Sequence, residues 1–392
     1  MAIHERTLIR PPITRPGIPG SDAAHSDAPR MPSLRHFGPN WYATVMGTAI
    51  LASAGEALPV DVPGLRGACT VVWAFSAVLL VAVLTARTGH WLHHRDQART
   101  HLLDPAVAPF LGCLPMALLS VGGATMVAGT PVLGERAALV VDAVLYTAGS
   151  VLGLAVAVTV PYLMVVRHRI DVGSAAPAWL LPLVPPLVSA SLGPLLIRHL
   201  PAGQGREALL LGCYAMFGLT LLATLAVLPL VLARLLHHGP LPLALTPTLF
   251  LVLGPLGQST TAVNQLADVA PGAVGAPYAT GLGALAVLYG VPVMGFALLW
   301  LALSTALTVR ALRAGMGFAM TWWGFTFPLG TCVTGAAGLA RHTGLHAFGW
   351  LAEALFVCLV AAWAVAGART VRGLLGGALL APPAPVRPTV TA

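Results

Sequence analysis

Ten apolar stretches of membrane-crossing length follow one another along this chain: 38–58, 68–87, 107–128, 137–166, 177–197, 207–235, 243–266, 277–309, 321–341 and 346–368. A bilayer core of about 30 Å takes roughly 20 apolar residues per helix. Lipid offers no water to bond free peptide groups, so such stretches satisfy their own backbone as helices. Charged residues make up only 9% of the 392, against about a quarter in a soluble domain. The expected fold is an all-α integral membrane protein with ten transmembrane helices. The fourth and eighth stretches are long enough to tilt or to project beyond the lipid. Gly281, Gly283, Gly290, Pro292 and Gly295 crowd the eighth, and reading it as two short helices would give eleven spans.

Arginine sets the orientation. The chain has no lysine, and all 21 basic residues are arginines. With ten spans, the side holding both termini receives all of them except Arg66, Arg136, Arg198, Arg206 and Arg341. Positive charge collects on the cytoplasmic side, so both termini are expected in the cytoplasm of a multi-pass plasma-membrane protein. The arginines flank hydrophobic segments, which argues against nucleic acid as a partner and for membrane lipid. Residues 1–36 and 371–392 are Pro-rich and polar and read as disordered cytoplasmic tails around a transmembrane domain at 37–370. The five cysteines lie scattered through apolar runs without a metal or redox spacing.

Pro115, Pro186, Pro255 and Pro328 stand 71, 69 and 73 residues apart, within the third, fifth, seventh and ninth stretches. A period near 70 residues corresponds to one helix pair per repeat. A proline inside a helix removes a donor and frees the carbonyl four residues earlier. Small polar residues follow each one, and in lipid that combination points to a wet cavity. These bends put the odd helices inside and the smoother even ones toward lipid or neighbouring subunits. The first stretch has Gly47 and Thr48 where the others have proline, and glycine can bend a helix or allow close approach.

Three motifs narrow the class. Residues 37–50 read FGPNWYATVMGTAI, residues 254–259 read GPLGQS, and residues 322–329 read WWGFTFPL. Together they resemble the tellurite-resistance/dicarboxylate transporter family, which takes in slow-type anion channels and malate and sulfite transporters; the match covers roughly residues 34–370. Asn40 and Ala49 depart from the family pattern at places often held by glycine. The resemblance implies five helical hairpins around a central pore with a quasi-five-fold repeat. It also implies a homotrimer with one pore per subunit, small anions as the transported partners, and a gating phenylalanine on the ninth helix. By motif position that gate is Phe327, with Phe325 second; the competing reading is that either ring simply packs against a neighbouring helix. Expected pore-lining residues are Thr48, Ser120, Ser189, Gln258, Ser259, Thr326 and Thr331.

No arginine or histidine lies at the centre of a span. A fixed charge there would hold an anion and slow its exit, so the pattern favours weak binding and fast passage. Hydroxyls, amides and backbone N–H groups beyond each bend supply the attraction, while freed carbonyls such as those of Leu111, Leu251 and Gly324 oppose it. Asp142 and Glu353 are the carboxylates considered for proton coupling. Both lie on even helices, where a carboxylate near a helix start is also favoured by the dipole. The function expected is an uncoupled path for dicarboxylate, inorganic or oxyanions. The alternative is a proton- or gradient-coupled exporter of dicarboxylate, sulfite or tellurite, and an intramembrane enzyme is more remote. No catalytic, cofactor or metal site is expected. His90, His93, His94 and His101 read as an interfacial, lipid-facing patch, with a metal site as the competing reading. Gly149 and Gly153 allow close helix contact within the chain or between subunits.

Overall fold

The computed structural model describes residues 34–171 and 173–380, and every regular element among them is helical. The helices run α1 (Tyr42–Glu56), α2 (Leu65–His93), α3 (Arg95–Leu103), α4 (Cys113–Ala124), α5 (Thr130–Leu133) and α6 (Glu135–Val166). They continue as α7 (Pro185–Ile197), α8 (Gln204–His238), α9 (Leu253–Val269), α10 (Ala276–Arg313), α11 (Thr326–Thr343) and α12 (His346–Leu375). Among the described residues, six helical runs are long and apolar enough to cross a membrane: α2, Ala108–Leu133, α6, α8, α10 and α12, with mean hydropathies from 1.8 to 2.3. The chain is thus an all-α, multi-pass membrane protein. α10 is one unbroken helix of 38 residues, which overturns the two-helix reading of that stretch. At about 1.5 Å per residue it exceeds the bilayer core by roughly a factor of two, so it tilts or projects.

Two kinds of helix alternate. In α2, α6, α8, α10 and α12 only 17–28% of the most apolar window is buried, against 72% in the run containing α4. Val71, Val144, Leu222, Leu288 and Val357 are exposed on the long helices. In water each such side chain would cost about 1.5–3 kcal/mol relative to burial, whereas lipid removes that cost. The short helices α1, α4, α7, α9 and α11 are almost wholly buried along their length. α1 packs on α4 and α11, α7 on α4 and α9, and α9 on α11, while each short helix also packs on a long one that follows it.

The repeated prolines do not sit in helix interiors. Pro115, Pro255 and Pro328 are each third in α4, α9 and α11, and Pro186 is second in α7. The first N–H groups of an α-helix have no partner within it, so proline there loses no internal bond. A tighter 3-10 segment leads into each: Ala108–Gly112, Pro177–Leu180, Leu243–Val252 and Met320–Phe325. These segments rise about 2.0 Å per residue and supply the reach that a helix of 12 to 18 residues lacks. The truly interior prolines are Pro161, Pro229 and Pro292 on long helices, and Pro194 in α7. Gly47 lies inside the continuous α1, where a Cβ would overlap Thr326 Oγ1. It serves close approach to α11.

Every long helix donates a hydrogen bond inward. Trp73 of α2 reaches Thr125 Oγ1 at 2.9 Å, and Ser150 of α6 reaches Ser189 Oγ at 2.9 Å. Thr220 of α8 donates to the Leu183 carbonyl at 2.7 Å and Trp300 of α10 to that of Leu249 at 2.9 Å. Trp363 of α12 donates to Thr48 Oγ1 at 3.0 Å. Two of these bonds satisfy carbonyls just ahead of proline-bearing helices, which lipid would otherwise leave unpaired.

Other expectations are corrected. Residues 371–375 continue α12, and Ala378–Leu380 forms a further turn beside Leu34–His36. The two ends of the described chain therefore meet on one face. The remainder of each expected tail, 1–33 and 381–392, lies outside the described residues. A Cβ on Gly149 would stand 2.7 Å from Leu119, and one on Gly153 2.8 Å from Pro185, so both serve packing within the chain.

Glycine at 257 lets α9 approach the α11 backbone. A Cβ there would lie 2.6 Å from the Cys332 nitrogen, whereas one at Gly254 meets nothing within 4 Å. Gly257→Ala is expected to cost about 1–3 kcal/mol through overpacking and to lower the thermal unfolding midpoint in detergent. Gly254→Ala, in the first turn of the same helix with open space at its Cβ, should leave it unchanged.

Candidate functional site

All five short helices contribute to one cavity of about 300 Å³. α1 supplies Ile50, Ser53 and Glu56, and its C-cap Ala57, a spacing of three and four residues that keeps one helical face inward. α4 with its continuation supplies Ser120, Gly123 and Val127, and α9 supplies Gln258, Thr261 and Gln265. From α7 come Val188, Ser191, Leu192 and Leu195, and from α11 Phe327 and Thr334. Seven residues of α1 cover about 10 Å of depth.

The cavity is graded along that depth. Ile50, Val188 and Phe327 form an apolar inner end, with exposures of 8%, 1% and 2%. Phe327 is the second residue of α11, followed by Pro328. Toward the C-terminal ends of the short helices, Ser53, Glu56, Leu195, Gln265 and Thr334 are half-buried. The cavity is therefore more exposed at that end, and Phe327 lines its buried part.

Between the two ends lies a neutral polar zone. Gln258 Nε2 donates to Ser191 Oγ, which donates onward to the Val188 carbonyl at 2.9 Å. Ser120 Oγ and Gln258 Oε1 are buried without a protein partner. Buried polar atoms normally find partners, so these two are free to bond water or a passing solute. Thr261 and Thr334 bond each other at 2.7 Å across α9 and α11. Among the described residues, Glu56 is the one charged member of the lining, and no cation belongs to it. First-turn amides are already used: Leu187 and Val188 N–H both bond the Val184 carbonyl at 2.9 and 3.1 Å. The expectation that backbone N–H groups beyond each bend would attract an anion is replaced, at α7, by continuous helical bonding.

Of the residues singled out from sequence, Phe327, Ser120 and Gln258 meet in this cavity. Thr48 is held between Trp363 and the Thr44 carbonyl, and Ser189 between Ser150 and the Pro185 carbonyl. Thr326 bonds the Trp323 carbonyl beside Gly47. Thr331 bonds Pro328 and faces α9 at Gly257. Ser259 lines a separate apolar recess of about 220 Å³ with Tyr289 and Pro292. Phe325 packs edge-on to Phe250 at 4.8 Å and to Trp322 at 5.8 Å, away from the cavity. Missed from sequence were Ser53, Glu56 and Gln265. They extend the stripe already marked by Ile50 and by Gln258 with Thr261, at helical spacing, so the period was the available signal.

The carboxylates also move. Asp142 is fully buried without a partner, beside Gly122 at the α4–α6 contact. Glu353 is half-buried near Arg341 and Trp350 in a surface groove. Neither lines the central cavity; Glu56 does. The histidine patch is corrected in part: His93 is exposed and His94 half-buried, whereas His90 and His101 are buried. His90 is fully buried and its Nδ1 lies 2.8 Å from the Leu34 carbonyl, while its ring stacks on His101 at 5.3 Å. Arg87 donates to the Phe37 carbonyl. The cluster ties α2 and α3 to the start of the described chain, and no group of three or more metal-binding side chains occurs among the described residues.

A family model described as SLAC1, voltage-dependent anion channel, matches residues 36–371. The sulfite efflux pump SSU1 of Trichophyton rubrum is 27% identical over 345 residues, covering 86% of this chain and 91% of that protein. The transporter MJ0576 of Methanocaldococcus jannaschii is 25% identical over 346 residues, covering 88% and 95% respectively.

Burial, reinforced by Arg87 and His90, pushes the His101 imidazole down from 6.5 to about 4. Docked His101 is thus neutral, and the unfolded chain binds the extra proton first. Its contribution to stability is full above pH 6.5 and is lost as pH falls toward 4. Thermal unfolding midpoints should decline over that window, and His101→Gln should flatten the decline.

Proposed function

The chain belongs to the voltage-dependent anion channel family, and we propose that it passes small anions, inorganic or carboxylate, along the central cavity past a Phe327 gate. The observation that carries the proposal is one cavity walled by all five short helices and ending at a buried Phe327. In this reading the contacts α1–α4, α4–α7, α7–α9, α9–α11 and α11–α1 close a ring. The long helices stand outside it, giving ten membrane helices as five hairpins with quasi-five-fold order. The exposed apolar outer faces suit lipid and the contacts of a homotrimer, each copy keeping its own path. The arginine bias puts both termini in the cytoplasm of the plasma membrane.

The chemistry follows from what the lining lacks. An anion entering from the Glu56 end exchanges water for the free Ser120 hydroxyl and for the second N–H of the Gln258 amide, whose first N–H bonds Ser191 and whose oxygen can only accept. No fixed cation binds it tightly, so release is fast. Ile50, Val188 and Phe327 offer no polar contact, and crossing them requires the Phe327 ring to move. Membership in a channel family stands against the intramembrane enzyme.

A second reading, a proton-coupled exporter, is favoured by one observation. Glu56 gives the cavity a titratable carboxylate, and relatives carry the name sulfite efflux pump. Such a carrier would show saturable anion flux that depends on a pH gradient, without unitary current steps.

In planar bilayers the purified protein is expected to give discrete single-channel steps. Phe327→Ala should raise anion current about tenfold or more, a barrier change of about 1.4 kcal/mol. Phe325→Ala should leave the current near wild type, because that ring packs on Phe250 and Trp322. Unchanged current in Phe327→Ala at normal expression would remove Phe327 from the gate.

A further inference from the structure

Glu56 is out of place in a path for anions. It ends α1 at the more exposed end of the cavity, half-buried, with Gln265 and Leu195 on facing helices. Among the described residues it makes no hydrogen bond and no ion pair. The contrast with Asp268, at the corresponding end of α9, is direct. That carboxylate is held by His342 at 2.9 Å and Arg341 at 3.6 Å. One acid near this end is paired with two basic side chains, whereas the other faces the cavity without a close partner and feels Arg66 only at longer range.

Resting on the Phe327 pathway proposed above, we infer that Glu56 is a valence filter that admits singly charged anions and holds back doubly charged ones. Two effects act in the same direction. Repulsion by a fixed charge scales with the charge of the approaching ion. If Glu56 lowers the occupancy of a monoanion by some factor, it lowers that of a dianion by the square of that factor. Dehydration cost also grows with the square of the ion's charge, and here nothing charged offsets it. The inner lining offers a hydroxyl at Ser120 and an amide at Gln258, both neutral. A monoanion can exchange part of its hydration shell for such groups, whereas a dianion needs a cation that the cavity does not provide. Position strengthens the filter, because a charge at the more exposed end acts before the ion reaches the buried polar zone. The substrate class so defined is a small monovalent anion.

The test uses the full chain in planar bilayers with chloride and sulfate as probes, in the open Phe327→Ala background. Adding Glu56→Gln should raise the sulfate-to-chloride permeability ratio about threefold to tenfold, the effect of one charge at a few ångströms in a partly hydrated mouth. Glu56→Asp should keep the low ratio. At about 1 M salt, where the Debye length is about 3 Å, the difference made by Glu56→Gln should shrink, which a packing defect would not reproduce. A conducting Glu56→Gln variant with an unchanged ratio would overturn the filter and leave the pathway standing. No added current in Phe327→Ala would overturn pathway and filter together. Loss of all flux in Glu56→Gln, with wild-type flux dependent on a pH gradient, would overturn the filter in favour of coupling.

Discussion

The structure depends on satisfying backbone and hydroxyl groups where no water is available. Short helices led by 3-10 turns and opened by proline make an irregular inner layer, and irregular backbone in lipid is tolerated only when protein covers it. Five long helices do the covering, and each also donates one bond inward, from Trp73, Ser150, Thr220, Trp300 and Trp363. Indole and hydroxyl groups suit this role. They keep an apolar body toward lipid or the packed interior and carry a single polar tip. Individually such bonds in membranes contribute about 0.6 kcal/mol. Their larger effect is geometric, since they fix which part of each inner element faces outward.

That fixing decides what remains for the cavity. Thr48 and Ser189 are taken by Trp363 and Ser150, so their hydroxyls turn away from the centre. Ser120 and Gln258 keep unpartnered atoms and so hold the chemistry of the site. Close approach along α9 and α11, allowed by Gly257, brings Thr261 against Thr334. The lining that results is neutral except at Glu56. A neutral lining with one opposing charge at its mouth suits brief contact with singly charged anions, and in the proposed reading Phe327 would supply the barrier that such a weakly binding path requires.

Much of this was legible in the chain. Membrane-length apolar runs identified an all-α membrane protein, and polarity separated α4, α7, α9 and α11 from the smoother helices around them. The motif ending in Phe327 and Pro328 pointed to the ring that ends the cavity. The helix bends were misread, because a proline in the first turn after a 3-10 segment looks the same, within an apolar run, as a proline in a helix interior. Hydropathy does not mark where 3-10 geometry gives way to α. Glu56 was passed over because it closes an apolar stretch, where a carboxylate reads as a helix-end residue.

The amino-acid sequence by itself determined the solvent of this protein, its helical class and the placing of small polar residues on the inner helices. These follow from composition and period, which act locally. Tertiary structure alone decided which hydroxyls stay free, that Phe325 packs while Phe327 lines the cavity, that His90 and His101 stack, and that Glu56 faces the path while Asp142 is buried between helices. The physical reason is the rotation of each helix about its own axis. It is set by glycine contacts and lateral hydrogen bonds between residues tens to hundreds of positions apart, such as Trp363 and Thr48 with a separation of 315, and no local pattern contains it.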